Sequence, residues 1–298
     1  MAAVIMDGKA LAAKIKEQVR LQVEQMERKP GMAMILVGEN PAAQVYEAGK
    51  RKDCQQCGIY YETYRLPEDV PQAELLDVIR FLNEREGIDG ILIQFPLPQH
   101  LDGREIQLAI RPDKDVDCVH PSNMGDLTFG VDSFWPCTPA GVMRLLAEYG
   151  IDPAWKNCTM VGRSNIVGKP QAMLLLRRDC TVTVCHTKTP DLAAECRRAD
   201  ILISAAGHPG LITADMVKEG AVVIDVAVNR DGAGKLCGDA DYAPVAEKAS
   251  YITPVPGGVG PVTRAVLMEN TLAAALRHGK GIGAGLPPEQ GGAACQSK

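Results

Sequence analysis

The sequence predicts an α/β protein of two units, each a parallel sheet covered by helices on both faces. Three observations carry that prediction. Short, wholly apolar runs alternate with longer amphipathic segments. The alternation breaks once, between about residues 95 and 137, and then restarts. MAMILVG (32–38), for example, is fully apolar and ends in Gly, as expected of a strand buried on both faces. A length of 298 residues also suits about two domains.

In the first unit, Leu11, Ile15, Val19, Val23 and Met26 recur in steps of four, four, four and three. That spacing predicts a helix over 7–27, with Asp7 as its N-cap. MAMILVG (32–38) predicts a buried strand. A helix over about 41–57, a strand over 59–65, a helix over about 71–86 between Pro71 and Gly87, and the strand GILIQ (90–94) follow. Residues 95–137 read as loop-rich. In the second unit CTMVG (158–162), TVTVC (181–185), DILISAA (200–206) and AVVIDVAV (221–228) predict four more strands. Helical segments such as 169–178 lie between them. A last amphipathic helix over about 262–277 carries Val266, Leu267, Leu272 and Ala275. The join falls near residue 138, and the tail from Gly279 is too rich in Gly, Pro and Gln to add core.

Composition narrows the function classes. The 32 Lys and Arg against 37 Asp and Glu leave a net charge of −5, which argues against nucleic-acid binding by a basic surface. No apolar run approaches the roughly 18 residues of a membrane helix. Asp7 interrupts the N-terminal apolar stretch too early for a secretory segment. The ten cysteines are therefore expected to be reduced thiols in a cytoplasmic protein. Cys54 and Cys57 form a C-x-x-C without the second pair that a zinc site wants, so they read as two small helix residues and no metal is expected.

The first turn of the second unit reads VGRSNIVGKP (161–170). A strand runs into Gly162, and Gly168 and Pro170 open the next helix, whose unpaired N–H groups suit a phosphate. The pattern is neither G-x-G-x-x-G nor a Walker A loop, because Arg163 and Ser164 follow Gly162 and Pro170 stands where Ser or Thr would hold magnesium. A cofactor with a free ribose 2′-hydroxyl meets an acid about 20 residues after such a turn. Here the chain offers Cys185, His186, Thr187 and Lys188 instead. With Arg163 these residues suit a 2′-phosphate, so the unit reads as a Rossmann-like domain for NADP rather than NAD.

In the first unit, polar groups gather where strands end. Tyr46 and Lys50 stand four apart on one helix face. Gln94 closes GILIQ before Phe95-Pro96-Leu97-Pro98, and PDKDVDC places Asp113, Asp115 and Asp117 in a loop. PVPGGVGPVT (254–263) is a rigid loop that lets a ligand touch backbone. Convergence of such groups at strand ends is how α/β active sites are built.

QVYEAGK, GILIQFPLP, PDKDVD, VGRSNIVGKP, CHTKT and ITPVPGGVGPVT stand in the order seen in the bifunctional methylenetetrahydrofolate dehydrogenase/methenyltetrahydrofolate cyclohydrolase family, which the chain resembles from about Gly8 to Leu276. The resemblance implies a cytosolic or organellar homodimer with a folate cleft between a catalytic and an NADP domain. The first would span 1–138, completed by a C-terminal helix of about 265–280. The second would span 139–264, with 281–298 as a flexible tail. It implies oxidation of 5,10-methylenetetrahydrofolate by NADP, then hydrolysis of the methenyl cation to 10-formyltetrahydrofolate, a donor for purine biosynthesis. Lys50 would be the catalytic residue of hydrolysis, oriented by Gln94. Tyr46 would stack on the folate, and Asp117 would hold its amino-pyrimidine edge. Ile93, Phe95, Pro256, Gly257, Gly258, Val259, Gly260, Pro261 and Thr263 would line the substrate. Gly162, Arg163, Ser164, Ile166, Thr187 and Val228 match cofactor positions. Four residues depart from the family: Ala43 for a usual Ser, Cys118 and Ala227 for usual Gly, and Thr187 for a usual Ser. A shikimate-type NADP dehydrogenase would explain the glycine turn but not Tyr46, Lys50 and Gln94 together with PGGVGP. A silent dinucleotide sensor would be expected to lack Lys50 or Asp117.

Overall fold

The computed structural model describes residues 2–131 and 133–280; the 281–298 tail lies outside them. In chain order the elements are β1 (Val4–Ile5), α1 (Gly8–Glu24), β2 (Gly31–Val37), α2 (Pro41–Cys57), β3 (Tyr60–Leu66), α3 (Gln72–Glu84) and β4 (Gly90–Ile93). Next come α4 (Gly103–Leu108), α5 (Pro121–Phe129), α6 (Cys137–Glu148), β5 (Asn157–Val161), α7 (Gly168–Leu176), β6 (Thr181–Cys185) and α8 (Leu192–Arg197). The chain closes with β7 (Ile201–Ser204), β8 (Val222–Asp225), β9 (Asn229–Arg230), β10 (Leu236–Cys237), α9 (Tyr242–Lys248), β11 (Tyr251–Ile252) and α10 (Val259–Lys280).

Two sheets carry the architecture. One has three parallel strands in the order β3-β2-β4, and the other has six in the order β1-β11-β8-β7-β5-β6. The larger sheet is parallel throughout. Its order reverses between β5 and β7, so their carboxyl ends flank a crevice of the kind that holds ligands in open α/β sheets. β9 and β10 form a separate antiparallel pair.

Asp7 caps α1 as its side chain accepts from the Lys9 and Ala10 amides at 2.9 and 3.0 Å. The helix buries Leu11, Ile15, Val19 and Val23. α10 is buried on most sides, with Val262, Val266, Met268, Leu272 and Ala274 in the core that α1, α6 and β2 share. Among the described residues no helix is long and apolar enough to cross a membrane. None holds a group of three or more His, Cys, Asp or Glu placed for a metal ion.

Two findings depart from the sequence expectation. Residues 95–137 are not all loop, since α4 and α5 lie there, capped by Asp102 and His120. Val4 and Ile5 pair with Tyr251 and Ile252, so the first strand belongs to the larger sheet although α1 packs with the smaller unit.

The end of α10 is fixed by charge. His278 sets Nδ1 2.9 Å from Asp89 and Nε2 3.3 Å from Asp113. The two carboxylates raise its pKa to about 9, with Asp113 the larger influence. Burial pushes Asp89 up, but hydrogen bonds from His278 and Arg28 hold it below its ordinary value. Because the imidazolium is favoured by folding, its stabilisation is complete below about pH 6.5 and is lost as pH rises through about 9. Parent protein should therefore lose on the order of 1–2 kcal/mol, a few degrees of Tm, between pH 6 and pH 10. His278→Gln should lack that part of the decline in thermal melts across the range.

Candidate active site

Three elements bring the first cluster together. α2 carries Lys50, and Gln94 follows the last residue of β4, with its amide N–H donating to the Ile35 carbonyl at 3.0 Å. The Lys50 ammonium donates to Gln94 Oε1 at 3.0 Å. Gln94 Nε2 donates to the Phe95 carbonyl at 2.8 Å, so the amide presents its oxygen to the amine. Burial lowers the Lys50 pKa, opposed by the Asp117 carboxylate and assisted by the Arg264 guanidinium. Tyr46, one turn earlier on α2, is 50 % exposed, and Phe95 is 42 % exposed. Both aromatic side chains are thus open to solvent.

The acidic triplet divides into three different jobs. Asp113 pairs with Arg111 and His278. Asp115 is buried and takes the amides of Val119 and His120 at 2.8 and 2.7 Å and Asn123 Nδ2 at 2.9 Å. Burial raises its pKa to about 6 against those donors. Lys114 is also buried and donates to the Leu82 and Arg85 carbonyls. The pinned loop leaves Asp117 half-buried and facing Lys50 and Cys137. Cys118 adopts φ +57°, a left-handed conformation that explains a glycine preference there and costs roughly 1–2 kcal/mol for other residues.

The 254–263 segment is less open than its composition suggests. α10 begins at Val259, so Gly260, Pro261 and Thr263 lie in its opening turns rather than in a loop. Gly257, Gly258 and Val259 are buried, and a Cβ on Gly8 would overlap the Gly258 carbonyl. Pro256 and Gly260 remain exposed, while Thr263 Oγ1 lies 3.2 Å from Thr138 Oγ1. Ile93 is also a core residue beneath α3, packed among Ile35, Leu75 and Ile79.

In the larger sheet Gly162 follows β5 with φ +120°, and a Cβ there would lie 2.5 Å from the Ala205 carbonyl oxygen. The turn therefore presses against the chain leaving β7, at the reversal of strand order. A Cβ on Gly168 would overlap the Gly162 carbonyl. Ser164 Oγ accepts from the Val167 amide at 3.1 Å, and Arg163, Ser164 and Ile166 are exposed. Thr187 and Lys188 are exposed just past β6, and Val228 is 52 % exposed past β8. Ala227, by contrast, is buried.

Cys137 and Arg264 join the Lys50 surroundings without having been singled out from sequence. Arg264 is adjacent to the glycine-rich segment and could have been suspected; Cys137 carries no local signal.

A dinucleotide-type parallel sheet joined to a small parallel sheet bearing a half-buried amine–amide pair defines a two-part enzyme that couples redox and proton chemistry. Residues 6–117 match the catalytic domain of tetrahydrofolate dehydrogenase/cyclohydrolase, and residues 136–279 match the NAD(P)-binding domain of the same family. The chain belongs to the tetrahydrofolate dehydrogenase/cyclohydrolase family. It is 54 % identical over 280 residues to the bifunctional protein FolD of Moorella thermoacetica, covering 93 % of this chain and 100 % of the relative. The solved FolD methylenetetrahydrofolate dehydrogenase/cyclohydrolase of Campylobacter jejuni superposes with a TM-score of 0.91 at 48 % identity, covering 93 % and 99 % of the two chains. The Trypanosoma brucei dehydrogenase-cyclohydrolase, solved with NADP and an inhibitor, gives 0.89 at 39 % identity over 93 % and 98 %.

Proposed function

We propose that one folate cleft beside Lys50 serves both reactions of this chain. The protein is an NADP-linked methylenetetrahydrofolate dehydrogenase and a methenyltetrahydrofolate cyclohydrolase. The observation that carries the shared-cleft reading is the 3.0 Å bond between the partly desolvated Lys50 amine and Gln94. Burial lowers the Lys50 pKa, which makes its neutral form easier to reach than that of an exposed lysine. As water adds to the methenyl carbon, that amine takes a proton from it. It returns that proton to the ring nitrogen as the carbon–nitrogen bond breaks, while the remaining hydroxyl proton leaves to solvent as the formyl C=O forms, giving 10-formyltetrahydrofolate. Tyr46 stacks on the folate, Phe95 and Pro256 flank it, and Asp117 accepts from the amino-pyrimidine edge.

NADP, when bound, accepts the hydride. The turn at Gly162, whose bare backbone leaves no room for a Cβ, fits a pyrophosphate, and Arg163 and Thr187 fit the 2′-phosphate. Ser164, Ile166 and Val228 complete the cofactor surface. The product suits formyl transfer in purine biosynthesis, and the enzyme works as a cytoplasmic homodimer.

Methylenetetrahydrofolate with NADP should generate NADPH, followed by nucleotide-independent loss of methenyltetrahydrofolate; shikimate with NADP should generate none. Absence of the second phase would remove the shared-cleft reading. For the nucleotide half, Thr187→Asp should lower the NADP-to-NAD ratio of kcat/KM by about tenfold or more, since a carboxylate repels the extra phosphate. An unchanged ratio would place the phosphate elsewhere.

A further inference from the structure

Asp53 lies one turn beyond Lys50 on α2 and is 1 % exposed. Its Oδ2 accepts from Arg264 Nε at 2.6 Å, and its Oδ1 from Lys16 Nζ at 2.9 Å. One buried carboxylate thereby ties α1, α2 and α10 together. Two cations on a single acid leave the cluster with excess positive charge beside the amine. Arg264 reaches across bare backbone to get there, because a Cβ on Gly49 would lie 2.6 Å from its Nη1. Gly49 immediately precedes Lys50, so the guanidinium rests on the turn that presents the amine.

We propose that Arg264, held by Asp53 and admitted by Gly49, is a positioning residue of the hydrolytic reaction that fixes the place and the charge surroundings of Lys50. The proposal rests on reading Lys50 as the proton carrier. The groups facing that amine are Asp117 from the acidic loop, Cys137 from the start of α6, Cys54 from its own helix and Arg264 from α10. Burial is the largest influence and lowers the Lys50 pKa; the Asp117 carboxylate opposes it, and Arg264 adds to it. A guanidinium stays charged over the whole working range, so its contribution does not titrate away. It also cannot take a proton itself, which leaves Lys50 as the group that does.

The test is the pH dependence of kcat/KM for methenyltetrahydrofolate hydrolysis in parent, Arg264→Gln, Arg264→Lys and Gly49→Ala proteins, with Lys50→Met alongside. Removing the cation in Arg264→Gln should move the midpoint attributable to Lys50 upward by about half a unit to one unit. Below that midpoint, hydrolysis should fall about three- to tenfold. Gly49→Ala, which displaces the guanidinium without removing it, should move the midpoint the same way. Arg264→Lys should restore most of the parent midpoint. A rate lowered equally at every pH with an unmoved midpoint in Arg264→Gln and Gly49→Ala would make Arg264 merely structural and overturn the proposal. If Lys50→Met hydrolyses at the parent rate, the underlying assignment of Lys50 fails instead. Lys50→Met inactivity with superimposable profiles for the other variants sinks only the role of Arg264.

Discussion

Lys50→Met should reduce methenyltetrahydrofolate hydrolysis by on the order of 10³-fold, within the range of a lost general acid–base group. Methionine keeps much of the aliphatic stem that α2 packs around, so the loss is confined to the amine and its 3.0 Å bond to Gln94. NADP-linked oxidation should fall much less, because hydride transfer needs alignment of two rings rather than a proton carrier at this point. The two half-reactions, followed separately by NADPH formation and by methenyl absorbance, should therefore separate by at least an order of magnitude. Equal losses in both would mean that Lys50 chiefly holds the substrate. Burial lowers the Lys50 pKa, so if the neutral amine carries the proton, as proposed, hydrolysis should weaken as pH falls through that titration.

The second large effect is expected at Gly8→Ala. A Cβ there would overlap the Gly258 carbonyl and lie 2.9 Å from the Gly257 oxygen, and both obstacles are backbone. The amino end of α1 must then lift from the loop that leads into α10. Overpacking of this kind costs about 3 kcal/mol or more when backbone must move, a fall in Tm of roughly 5–10 °C for a chain this size. The displaced Pro256–Gly258 loop should raise the folate KM in both half-reactions. Gly125→Ala in α5 makes the contrast, since a Cβ there meets nothing within 4 Å. That change should leave stability unaltered or raise it by up to about 1 kcal/mol. Thermal or urea unfolding of the two variants side by side distinguishes steric overlap from a general intolerance of lost glycine.

Much of the fold was legible because burial imposes simple patterns. β2, β4, β5, β7 and β8 are buried apolar runs, whereas β6, expected from sequence as a buried strand, alternates Thr and Val at the edge of the sheet and is only partly buried; α1 announces itself through Asp7 and a four-residue step. α6 starts right at the join near residue 138, and its Pro139 falls in the first helical turn, where no intrahelical N–H bond is lost. β1 and β11 have two residues each, too few for any periodicity. Among the candidate site residues, Lys50 and Gln94 stood out by type and strand-end position, but their bond joins residues 44 apart. Asp53 and Arg264 are 211 apart, and no local pattern links them. The three acids of the 113–117 loop looked equivalent in sequence. Only burial and partners separate the pinned Asp115 from the half-buried Asp117.

The pairing of Val4 with Tyr251 bears on how the molecule is made. During synthesis the opening strand has no partner until nearly 250 further residues have emerged, so the nucleotide-type sheet gains its outermost member last. Until then its two-residue length limits the exposed edge that a neighbouring nascent chain could capture. Since α10 must also return to α1, completion of this sheet edge and closure of the helical core depend on the same stretch, residues 251–280.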